Sequence, residues 1–91
     1  MENKYHLVLY VTGASPNSVR AINNIKEICE TFLDGNYALE IIDVHQTPEV
    51  AQREQIIALP TLIKKGPSPE RRLVGDLSDK AKVLRGLGIK Q

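Results

Sequence analysis

The feature that most constrains this chain is a strand that is apolar on both faces and runs straight into a capped helix. Tyr5-His6-Leu7-Val8-Leu9-Tyr10-Val11 is apolar at both alternating sets of positions apart from His6, the pattern of a strand covered on each side. Ser15 follows as a helix cap, with Pro16 at the first helical position, where its missing N–H costs nothing. Val19, Ile22, Ile25, Ile28, Cys29, Phe32 and Leu33 recur at three- and four-residue spacing and predict one buried stripe. Arg20, Asn23, Asn24, Glu27, Glu30 and Thr31 fill the solvated face, and Gly35 predicts a left-handed stop. A second strand, Tyr37 to Val44, comes next. Strand, helix and strand within about forty residues read as a parallel, right-handed βαβ unit.

The second half reads less directly. Thr47-Pro48 repeats the cap-plus-proline start and predicts a shorter helix running to Ile56 or Ile57. Thr61-Leu62-Ile63-Lys64-Lys65 and Arg71-Arg72-Leu73-Val74 are strand-like, and Gly66-Pro67-Ser68-Pro69 between them predicts the turn of an antiparallel hairpin. Periodicity alone does not assign the short apolar run Thr61–Ile63, so the hairpin rests on that turn. Ser78 is expected to cap a last helix with apolar positions Ala81, Val83, Leu84 and Leu87, ending at Gly86 or Gly88. The expectation is an α/β chain, βαβαββα, with strand order 2-1-3-4 and one domain over residues 1–91.

Composition removes several classes of function. Hydrophobic content of 42% and charged content of 25% suit a globular protein. A net charge of +1 leaves no electrostatic footprint for nucleic acid or an anionic membrane. The strand-like run after Met1-Glu2-Asn3-Lys4 is too short for a signal peptide, and no run approaches the roughly 18 apolar residues of a membrane span. One cysteine cannot build a disulfide framework and fits a reducing cytoplasm.

The turn Thr12-Gly13-Ala14-Ser15-Pro16 and the later Ala58-Leu59-Pro60-Thr61-Leu62 resemble the active-site turn and facing cis-proline loop of thioredoxins. The resemblance implies a cis Pro60 beside the Gly13–Ser15 turn. Yet the turn holds no cysteine, and Cys29 lies well inside the helix beside Ile25 and Phe32, where a small buried hydrophobe is expected. Thiol–disulfide exchange needs an accessible thiolate, so no catalytic residue is assigned. Gly13-Ala14-Ser15-Pro16 lacks the glycine spacing and lysine of a phosphate loop, so no cofactor site is assigned. His6 and His45 lack the three or four converging ligands of a metal site, and no serine stands in a nucleophile elbow. Lys64, Lys65, Arg71 and Arg72 read either as a solvated edge or as a landing point for an acidic protein. Backbone donors, a rigid proline and little charge around Pro60 and Thr61 suit the docking of a protein loop.

Longer segments carry a more specific resemblance. Leu9-Tyr10-Val11-Thr12-Gly13 with Ser15-Pro16-Asn17-Ser18-Val19-Arg20-Ala21 resembles the opening of the KaiB family. Tyr37-Ala38-Leu39 with Ile42-Asp43-Val44, the Ala58–Leu62 loop, and Arg71-Arg72-Leu73-Val74-Gly75-Asp76-Leu77-Ser78 extend the likeness over nearly the whole chain. The resemblance implies a non-enzymatic clock protein that binds the N-terminal ATPase ring of KaiC and modulates its phosphorylation cycle. It also implies competition with the thioredoxin-like sensor domain of a clock histidine kinase, and recruitment of KaiA in full clocks. A metamorphic chain is implied as well: a thioredoxin-like monomer that binds KaiC, and an alternative tetrameric state ordered βαββααβ.

The binding surface is expected at Thr12, Gly13, Ser15, Asn17 and Arg20, with help from Glu49 and Arg53, leaving the edge strand Tyr37–Val44 for a second partner. Gly86 and Gly88 are candidates for setting the balance between states, because interior glycine disfavours a strand. Two departures are expected to matter: an acidic tail common in clock KaiB proteins does not follow Gly88, and Gly88 stands where those proteins typically carry aspartate. A paralogue serving a KaiC-like protein outside the main oscillator, and a thiol-independent stress or chaperone-type protein, therefore stay open beside the clock role.

Overall fold

Leu7, Leu9 and Val11 are buried toward one layer of the protein, and Val8 and Tyr10 toward the other. Alternating side chains point to opposite faces of a sheet, so burial of both sets demands a central strand. The computed structural model describes residues 4–13, 15–75 and 77–89 and places this strand, β1 (Tyr5–Val11), inside a four-stranded sheet. The elements that follow are α1 (Pro16–Ile28), β2 (Tyr37–Asp43), α2 (Pro48–Arg53), β3 (Thr61–Gly66), β4 (Arg71–Val74) and α3 (Lys80–Leu87). Their sheet order is β2-β1-β3-β4, as the sequence predicts. Strand β1 pairs in parallel with β2, from Tyr5↔Tyr37 to Val11↔Asp43. On its other side it runs antiparallel to β3, which forms the hairpin with β4 through Thr61↔Val74 to Lys64↔Arg71. Ala14 of the first turn and Asp76 of the Arg71–Ser78 segment lie outside the described residues.

Helix α1 differs from expectation in which face it buries. Its buried residues are Ser18, Ala21, Ile25 and Ile28, whereas Val19 is 43% exposed and Ile22 only partly covered. The buried stripe thus starts one position earlier, at a serine whose hydroxyl has work in the preceding turn. The helix does not run unbroken to its stop. Cys29–Leu33 form a π-helical turn, after which Asp34 and Gly35 adopt left-handed conformations.

Both later helices also depart from their predicted bounds. Helix α2 ends at Arg53 rather than Ile56 or Ile57, and Gln55 takes a left-handed φ of 57°. None of its residues is buried, so no apolar stripe sustains further turns. The Thr47 hydroxyl makes no capping bond and instead donates to the Asp43 carbonyl at 3.3 Å. Helix α3 is capped by Asp79, not Ser78: the Asp79 carboxylate accepts from the Lys82 N–H at 3.2 Å. A carboxylate at that end also meets the positive pole of the helix. Gly88 terminates the helix in a left-handed conformation, φ 76°. Gly86 lies inside it, and a Cβ there would sit 2.3 Å from a Leu73 methyl, so its lack of a side chain lets α3 lie flush on β4.

Candidate functional site

The turn between β1 and α1 is held by hydroxyls rather than thiols. Ser15 caps α1 by accepting from the Ser18 N–H at 3.2 Å. Ser18 is fully buried; its hydroxyl accepts from the Thr12 N–H at 3.1 Å and from the Ser15 hydroxyl at 2.9 Å. Sequence reasoning missed this residue. The signal was its place three positions after the cap, from which a side chain can reach back over the turn.

Asn17 and Arg20, on the first turns of α1, face the Leu59–Pro60 loop, whose peptide bond is cis. Together with Leu77 and Ser78 they line a cavity of about 390 Å³. The Arg20 guanidinium donates to the Asn17 side-chain carbonyl, which orients it along the helix surface. Thr61 fastens the loop from the other end, donating its hydroxyl to the Ala58 carbonyl. Of the residues singled out from sequence, Asn17, Arg20 and Pro60 therefore meet in one concavity. Thr12, Gly13 and Ser15 form the adjoining turn, with Gly13 at φ 57°.

Glu49 and Arg53 stand apart from that group. They project from α2 on the other face of the sheet, where Arg53 lines a second cavity. Ahead of α2, the His45 ring Nε2 lies 2.6 Å from the Thr12 hydroxyl.

The basic residues of the hairpin do not form one free patch. Lys64 is buried, with its ammonium 5.7 Å from the centre of the Tyr5 ring. Lys65 pairs with Glu54 at 3.1 Å, and Arg72 donates to the Gln55 carbonyl at 3.2 Å. Strand alternation sends consecutive charges to opposite faces, which proximity in sequence does not reveal. Cys29 is inaccessible, and burial, with a smaller push from the Glu30 carboxylate, raises its thiol to about 11. A thiol so placed is a packing group. Among the described residues, no three His, Cys, Asp or Glu side chains converge as a metal site requires, and no helix is long and apolar enough to cross a membrane.

Comparison with known proteins agrees with this architecture. The KaiB domain family matches residues 8–89. The circadian clock oscillator protein KaiB of Picosynechococcus sp. is 51% identical over 89 residues, covering 98% of this chain and 86% of that protein. That of Synechococcus elongatus is 52% identical over 85 residues, covering 93% and 83%. Among solved structures, the N-terminal domain of Synechococcus elongatus SasA superposes with a TM-score of 0.77 at 24% identity, over 97% of this chain and 87% of that domain. Chloroplastic thioredoxin z gives 0.78 at 22% identity, over 93% and 76%. At those identities the likeness is one of fold.

Proposed function

We propose, from the premise that this chain belongs to the KaiB family, that it is a non-enzymatic clock regulator acting in the cytoplasm. In this reading it binds the N-terminal ATPase ring of a KaiC-like hexamer in its thioredoxin-like state and modulates the phosphorylation cycle of that hexamer. The observation that carries the reading is the meeting of Asn17 and Arg20 with the Leu59–Pro60 loop in one cavity, beside a turn without a thiol. A guanidinium, an amide and a fixed proline edge offer charge-assisted hydrogen bonds and a rigid rim to an incoming loop. Thr12, Gly13 and Ser15 extend this surface, and Glu49 and Arg53 widen it around the His45 side.

The protein binds as a monomer. The edge of β2, unpaired on its outer side, is left for KaiA, and a clock histidine kinase competes for the same ring. The tetrameric state is the reserve form, with Gly86 and Gly88 setting the balance. Pull-down of the KaiC N-terminal ring by wild type and Arg20→Glu tests the reading. Reversal of charge at this exposed position should weaken capture by about 1–3 kcal/mol while leaving the fold intact. Equal capture would move the interface off this cavity. Failure of the wild type to bind would put the thiol-independent stress or chaperone role in its place.

A further inference from the structure

The second cavity, on the α2 side of the sheet, has a volume of about 400 Å³, within the range of small-molecule sites. It shares no lining residue with the cavity at the start of α1. Its floor is apolar: Val8 of β1, Ile42 of β2 and Val50 of α2. Tyr10 completes the wall. Its side chain is 2% exposed, and its hydroxyl has no hydrogen-bond partner among the described residues. Among the described residues no buried polar side-chain atom is left both sealed and unpaired, so that hydroxyl is not sealed, and the cavity is the open space that Tyr10 lines. Burial, followed by the Glu54 carboxylate, raises its pKa above the usual 10.0, so at neutral pH it is a hydrogen-bond donor.

Charge at the rim is unevenly committed. Lys65 is already paired with Glu54. Glu40 brings one negative charge and His6 is exposed. Arg53 has no ion-pair partner among the described residues and stands at the mouth beside the phenol.

We propose that this cavity binds a small organic carboxylate with a compact apolar body, the body against Val8, Ile42 and Val50 and the carboxylate between the Tyr10 hydroxyl and Arg53. A carboxylate answers both unmet groups at once, since it accepts from the phenol and pairs with the guanidinium. A neutral apolar molecule would leave both unanswered. A dianion would meet Glu40 with a second like charge. The site shares no residue with the cavity of the partner surface argued above, and only Arg53 with the wider reach of that surface.

The experiment is a titration of the full chain with 3-phenylpropanoate, and with the neutral 3-phenylpropanamide, followed by amide NMR shifts. Saturable shifts at Val8, Ile42, Val50 and Arg53 are expected, with the acid binding about fivefold or more tighter than the amide. Arg53→Ala, a change at an exposed position, should remove that preference and leave binding of the amide unchanged. Tyr10→Phe should weaken both ligands. Shifts that fail to saturate, shifts confined to α1, or equal affinity for acid and amide would each overturn the assignment.

Discussion

On the α1 and α3 side, the sheet packs Leu7, Leu9 and Leu62 against Ile25, Ile28, Val83, Leu84 and Leu87, all essentially inaccessible. On the α2 side, Val8, Tyr10 and Ile63 are buried and α2 buries none of its own residues. Length explains the difference. A six-residue helix spans roughly 9 Å, whereas the seven-residue strands beneath it span roughly 23 Å. One face is thus closed by interdigitating side chains. The other is covered by a short helix that leaves a cavity and, in the Tyr10 hydroxyl, a donor without an acceptor among the described residues. The fully buried packing lies on the first face, whose cavity of about 390 Å³ sits at the start of α1, whereas the cavity of about 400 Å³ on the second face lies under α2 itself.

The most direct way to break that contrast is to truncate both sides. Leu84→Ala on α3 should cost about 2–5 kcal/mol, because a fully buried leucine is replaced by a cavity. Val50→Ala, at a half-covered position on α2, should cost about 1 kcal/mol or less. Urea unfolding reads both, and similar losses would mean that α2 carries as much of the core as α3.

Removing one hydroxyl from each side sharpens the comparison. Ser18→Ala takes the partner from the Thr12 N–H and should cost about 1–3 kcal/mol. Tyr10→Phe removes a hydroxyl that lines the cavity and is not a sealed, unpaired group, and should stay within about 0.5 kcal/mol. A large loss from Tyr10→Phe would show that the phenol is structurally engaged, and that the α2 face is better sealed than its geometry indicates.

The smallest effect at neutral pH concerns Cys29. Burial lifts its thiol from 9.0 to about 11, so between those values the folded chain holds a proton that the unfolded chain has lost. Its contribution is fully present below pH 9 and disappears as pH rises through about 11, at up to about 1.4 kcal/mol per pH unit. Unfolding curves of wild type and Cys29→Ala across this range should differ in slope. The Tyr10 phenol, also raised, adds its own loss at higher pH, which Tyr10→Phe subtracts. Parallel curves for wild type and Cys29→Ala would mean that the thiol is open to solvent.

Much of the architecture was legible because it depends on local pattern. The doubly apolar run Tyr5–Val11 suggests a covered central strand, and Gly66–Pro69 a turn, though β3 runs on through Gly66. The absence of cysteine from the Thr12–Pro16 turn was likewise legible, and with it the expectation of no thiol exchange there. The candidate site was legible in part. Asn17, Arg20 and Pro60 were named from sequence and share a cavity, whereas Arg53 lines a different one and Glu49 lines neither.

The misplaced features share one cause: they turn on which neighbour a residue meets across the fold. Serine and aspartate cap helices about equally well, so Ser78 and Asp79 were indistinguishable until the chain path brought the Asp79 carboxylate to the Lys82 N–H. Val19 and Ser18 differ by about 100° around α1, and which faces inward depends on the hydroxyl that the Thr12 turn requires. Lys64 looked solvated until strand pairing laid it against Tyr5. Hydrophobic period, caps and turns dictate the order of elements, because each acts within a few residues. The packing of α3 on β4 through Gly86, the exposure of Val19 and the open phenol of Tyr10 arise from contacts between segments far apart in the chain. Such contacts exist only once the sheet has formed and each face has found, or lacked, enough helix to cover it.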